Sequence, residues 1–170
     1  MAMSFASGGA RRWIFFGLAC LCLLMFSIDM TIVSVALRTI VADLDTSLAL
    51  AAWTLTGFML TQTTMLPLIG KLGERFGQMR VFIACVFVFT LGSLLCGLAP
   101  NIYVLILCRA LQALGGAGFM TSATAIVARE FPETRSRMIG LFASILPLGG
   151  IVGPNLGGFI IQHYGWREVF

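Results

Sequence analysis

The sequence predicts an all-α integral membrane bundle. Three observations carry that expectation: 59% of the 170 residues are hydrophobic, only 11% are charged, and the apolar residues gather in five runs. A soluble domain carries about 25% charged residues, whereas a helix crossing lipid needs roughly 20 predominantly apolar ones. The formal charge of +4 makes no aromatic-interleaved basic stripe, so no nucleic-acid partner is expected.

Taken in order, the first run spans about 13–37 behind Arg11 and Arg12. It exceeds the roughly 7–15 residues of a signal-peptide core, so it reads as an uncleaved first span behind a cytoplasmic segment, 1–12. RTIVADLDTS leads to a second span at 48–69, and GKLGERFGQMR to a third at 81–99. Pro100-Asn101 separates the fourth, 102–128, and REFPETRSR the fifth, 138–161. The closing QHYGWREVF opens a sixth helix that its few residues cannot complete, so 13–170 reads as an incomplete six-helix domain, the piece of a longer chain.

Arg11, Arg12, Lys71, Arg75, Arg80, Arg129, Arg135 and Arg137 fall on one side of this topology, and Arg38 and Arg167 on the other. The positive-inside rule then places the N-terminus in the cytoplasm. Trp13, Trp53 and Trp166 stand near span ends, as an interfacial belt requires. The five cysteines lack paired C-x-x-C spacing and read as small buried hydrophobes, so neither metal nor cofactor is expected. There is no G-x-S-x-G, no phosphate loop and one histidine, which argues against an enzyme.

Ionisable residues inside spans are costly and mark function by default. Two are present, Asp29 in the first span and Arg109 in the fourth, each about 12–14 Å from the same boundary at 1.5 Å per residue. Opposite charges at one depth can pair, and a carboxylate so placed can take and release a proton. Gln112 and Gly116 share the Arg109 face, with small residues that leave room for a helix or for water. Thr54, Gly57, Thr61 and Thr64 form a stripe on the second span that reads as packing glue or cavity lining. Gly70 to Gly77, with Glu74 and Arg75, reads as a compact turn whose glycines take unusual backbone angles and whose cations can hold anionic headgroups. In the fifth span Gly149, Gly153 and Gly157 recur every fourth residue beside Pro154, Asn155 and Gly158, a pattern for close helix approach. Asn155 is placed to satisfy backbone groups that the proline frees.

Together these segments resemble the major facilitator superfamily over about 13–170. Gly70 to Arg80 resembles its GxLaDRxGRR loop, with Glu74 in place of Asp. Leu105 to Ala117 resembles the RxxQGxGxA motif of the fourth span, with Ala113 in place of a glycine. Gly149 to Gly158 is similar to the antiporter motif GxxxGPxxGG, and Ser27 to Leu37 to the LDxTIVNVAL signature of drug:proton antiporters with fourteen spans, Arg38 standing where a proline is usual. The resemblance implies an N-terminal half built as three plus three helices, with substrate bound near the midplane against a second, C-terminal half. It further implies a proton-coupled multidrug efflux antiporter of the inner membrane, taking an apolar or cationic small molecule and protons as partners. Asp29 and Arg109 would couple the proton, and Gln112, Thr61 and Asn155 would line the cavity. Gly70, Glu74, Arg75 and Gly77 would gate. Gly149, Gly153, Pro154, Gly157 and Gly158 would let the two halves pack or rock. A nutrient uniporter or symporter, and a non-transporting membrane scaffold, are the alternatives.

Overall fold

The computed structural model describes residues 4–170, with side chains from residue 11 onward, so most of the expected segment 1–12 lies outside the residues whose side chains are described. Six α-helices follow one another: α1 Ser4–Asp43, α2 Leu48–Phe76, α3 Gln78–Gly97, α4 Ile102–Glu130, α5 Arg135–Ala143 and α6 Ile145–His163. A 3-10 turn at Arg167–Val169 follows where the sequence suggests a sixth span.

Every helix outlasts its hydropathic core. In lipid the backbone must satisfy its own hydrogen bonds, so helical pairing continues through short polar stretches instead of opening a loop. RTIVAD therefore belongs to α1, and the stretch Gly70–Phe76, expected as a turn, is the last two turns of α2. The bend into α3 is concentrated at Gly77, whose φ of 95° only glycine adopts readily. Ser47 caps α2 by accepting from the Leu50 N–H at 3.2 Å, and Asn101 caps α4 by accepting from Val104 at 3.0 Å. The fifth expected span is two helices broken at Ser144, whose hydroxyl donates to the Leu141 carbonyl at 2.7 Å.

Among the described residues four helical stretches are long and apolar enough to cross a membrane: 11–43, 78–97, 102–130 and 135–163. α2 has the length, but its threonines and Gln62 keep it below that apolarity. It nonetheless runs the height of the bundle, from Ala51 in one core cluster to Phe76 beside Arg11.

α4 is the centre, packed against α2 and α3 and touching α1, while α6 lies along α1. Its glycines permit this: a Cβ on Gly115 would stand 2.5 Å from the Cys85 carbonyl oxygen, and one on Gly116 2.7 Å from the Phe26 ring. Two apolar clusters result. The one towards the basic end is built from phenylalanines, among them Phe26, Phe58, Phe82, Phe89 and Phe119. The one at the opposite end holds Ala36, Ile40, Ala51, Cys96, Leu105 and Trp166. On both α1 and α4 the polar residues Asp29, Arg109 and Gln112 fall between these clusters.

Trp13 and Trp53 are about half exposed, as an interfacial belt needs. Trp166 departs from it, being 2% exposed. Its indole N–H donates to Asp43 Oδ2 at 2.9 Å, and Arg167 pairs with the same oxygen at 2.5 Å. An aromatic that finds both an apolar bed and an acceptor packs into the bundle instead of standing exposed at its surface.

Candidate functional site

Asp29, Arg109 and Gln112 meet in the middle of the bundle. Arg109 Nη1 donates to Asp29 Oδ2 at 2.7 Å and to Gln112 Oε1 at 2.7 Å, and Gln112 Nε2 donates to Asp29 Oδ1 at 3.0 Å. The triangle closes because Arg109 and Gln112, three apart on α4, share a face that α1 covers. Asp29 is 7% exposed and the other two are fully buried. Charges so desolvated persist only when paired and hydrogen-bonded, and the carboxylate here uses both oxygens.

The guanidinium is held from α2 as well. Its Nε donates to the Thr54 carbonyl at 3.5 Å, and its carbon stands 4.1 Å from the centre of the Phe58 ring. A cation over an aromatic face in a dry site gains about 2 kcal/mol. Arg109 Nη2 is buried with no partner among the described residues, leaving one donor of the guanidinium in reserve. The space expected beside Gly116 is taken by neighbouring helices, through the rings of Phe26 on α1 and Phe58 on α2.

Phe58, Gly92 and Cys96 belong to this site and carry no signal in the sequence. A Cβ on Gly92 would lie 2.7 Å from Gln112 Cα and 2.8 Å from its backbone nitrogen, so this glycine sets how near α3 stands to the site. The Cys96 thiol lies 3.8 Å from Gln112 Oε1. Each is one of many phenylalanines, glycines or cysteines in apolar runs, and only the crossing of helices distinguishes it.

The other expected cavity residues are not gathered here. Thr61 is half-buried on α2, with no side-chain hydrogen bond among the described residues, and Asn155 is exposed on α6. The Asn155 amide donates to the Ile151 carbonyl at 2.8 Å, next to the Gly150 carbonyl that Pro154 leaves without its helical donor. Of the expected gating residues, Gly70, Glu74 and Arg75 are helical and only Gly77 has left-handed φ. Glu74 faces a cleft shared with Gln78, Arg129 and Arg135.

Within this bundle the glycine stripe of the fifth span lies against α1. Side chains at Gly149, Gly153 and Gly157 would collide with Ser27, Thr31 and Ile32 of α1. Ser27 donates to the Leu146 carbonyl at 2.6 Å and Thr31 to that of Gly149 at 3.2 Å, using the close approach the glycines allow. Gly158 has open space around its Cα, and Pro154 is exposed, so these two lie off the packed face.

Among the described residues no three His, Cys, Asp or Glu gather as metal ligands.

Residues 18–170 match the Major Facilitator Superfamily. The chain is 44% identical over 155 residues to a multidrug resistance protein B homolog of Mycobacterium tuberculosis, covering 91% of this chain and 29% of that protein. It is 33% identical over 161 residues to a riboflavin transporter of Clostridioides difficile, covering 94% of this chain and 35% of that one. A crystal structure of a bacterial homolog to the human lysosomal transporter Spinster, inward-facing and occupied, superposes with a TM-score of 0.78 at 26% identity, covering 89% of this chain and 33% of that one. The chain thus spans about a third of the length of the curated relatives it matches.

Proposed function

Because this chain belongs to the Major Facilitator Superfamily, we propose that it is the N-terminal half, less most of its sixth helix, of a proton-coupled multidrug efflux antiporter in the plasma membrane. The observation that carries the reading is a single acid, Asp29, buried among the spans and held by Arg109 and Gln112. Deprotonated, the carboxylate is tied to Arg109. At about 4 Å and an effective dielectric near 20 that attraction is of order 4 kcal/mol, and a bound proton removes it. A bias of this size moves a two-state equilibrium most of the way from one conformation to the other. Arg109 keeps Gln112 Oε1 and the Phe58 face in either state, so the proton redirects α1 against α4 without leaving the cation bare.

An apolar or cationic small molecule is the substrate class, bound where a C-terminal half of similar build closes the other wall. The basic end, with Arg11, Arg80 and Arg129 around one cleft, faces the cytoplasm, and α2 crosses with the other helices. No enzymatic step enters this reading. In vesicles carrying the complete transporter, Asp29→Asn should abolish efflux driven by a pH gradient while membrane insertion is unchanged. Wild-type efflux by that variant would refute the assignment.

Nutrient transport is the second reading, favoured by the likeness to a riboflavin transporter. Collapsing the pH gradient separates the two, since it stops export by a proton antiporter and leaves a uniporter running.

A further inference from the structure

We infer that the basic end of the bundle carries a site for one anionic phospholipid, with an acyl chain between α2 and α3 and its phosphate among three arginines. The groove for the chain, of about 430 Å³, is walled by Ile69, Leu72 and Phe76 of α2 and by Ala84 and Val88 of α3, and floored by Leu111 and Leu114 of α4. Gly77 joins α2 to α3 at one end, and α4 packs against both and floors the groove. From Arg80 to Val88 it runs along eight residues of helix, about 12 Å, which is most of one leaflet's hydrocarbon half-thickness of roughly 15 Å.

Arg80 and Phe76 also line a second cleft, of about 630 Å³, so the two spaces share a wall. Arg11 of α1, Arg80 of α3 and Arg129 of α4 rim this second space, against one carboxylate, Glu130. Among the described residues the only ion pairs are Asp29–Arg109 and Asp43–Arg167, so none of these three arginines has a carboxylate within 4.0 Å. An apolar slot ending in an uncompensated cluster of guanidinium groups matches an amphiphile with a negative head. The apolar slot lies on a face of α2, Ile69, Leu72 and Phe76, that excludes Glu74, whereas the headgroup space adjoins the Glu74 cleft through Gly77, Gln78 and Arg129.

The test uses the complete protein, purified and exchanged into mixtures of phosphatidylglycerol and phosphatidylcholine, with retained lipid counted by native mass spectrometry. The parent should keep one phosphatidylglycerol in preference to phosphatidylcholine. Arg80→Gln with Arg129→Gln should weaken that binding about 30-fold, at roughly 1 kcal/mol for each basic residue lost. Arg137→Gln, which removes a guanidinium of the same end outside both spaces, should leave it unchanged. Ala84→Phe, which fills the slot and spares every charge, should also reduce retention, so the inference survives a misfolding arginine variant. Equal loss in Arg137→Gln, equal retention of both lipids, retention untouched by Ala84→Phe, or displacement of the lipid by inorganic phosphate alone would each overturn it.

Discussion

Arg109 Nη1 lies 2.7 Å from Asp29 Oδ2 across 80 residues of chain. The same nitrogen also reaches Gln112, so one donor group ties α1 to α4. Truncating one member of a buried pair leaves the charge of the other uncompensated even where hydrogen bonds to it remain, at a cost of about 3–5 kcal/mol. Arg109→Ala and Asp29→Ala should each lower the unfolding temperature of the purified protein markedly, and the double variant should lose less than their sum by about 1–3 kcal/mol. Additive losses in that cycle would mean that the pair carries no coupling.

Gly92 stands against the backbone and Cβ of Gln112. Gly92→Ala should therefore destabilise by about 1–3 kcal/mol, the usual range for overpacking a tight crossing. Adding Gln112→Ala should not rescue it, because the colliding atoms are Cα, Cβ and N, all of which alanine keeps. Recovery of the unfolding temperature in the double variant would show that α3 can shift freely.

On α6 neighbouring glycines have opposite surroundings. Gly153→Ala drives a Cβ into Thr31 and to 3.1 Å from the Ile28 carbonyl oxygen, and should cost about 1–3 kcal/mol. Gly150→Ala meets nothing within 4 Å and should be neutral or stabilising by about 0.5–1 kcal/mol. Thermal unfolding of the two variants side by side decides whether α1 occupies this stripe. Equal effects would place the contact elsewhere.

The junction between α2 and α3 offers a similar contrast. Gly77 has φ 95° and ψ 130°, which a side chain adopts only at about 1–3 kcal/mol, so Gly77→Ala should destabilise. Gly70 lies inside α2 with open space around it, and Gly70→Ala should stabilise slightly. A loss at Gly70 as large as that at Gly77 would argue that the stretch is a turn and not a helix.

Residue types along the chain were enough to establish an all-helical membrane bundle and to expect Asp29 and Arg109 at one height, where the two side chains meet. Hydropathy and the positions of charges are properties of each run by itself, and in lipid a long apolar run has no alternative to helix. The break at Ser144 and the helical course of Gly70–Phe76 were less legible, because helix ends depend on local hydrogen bonds that short polar stretches can satisfy either way.

Composition could say that Gly149, Gly153 and Gly157 would face a close neighbour, and that Trp166 stood near a span end. It could not say that the neighbour is Ser27, Thr31 and Ile32 of α1, nor that Trp166 turns inward onto Asp43. Nor did any spacing single out Phe58 and Gly92 as the supports of Arg109 and Gln112. Those choices join residues far apart along the chain, and which helix faces meet is decided by shape complementarity and the pairing of buried polar groups after all the helices have formed.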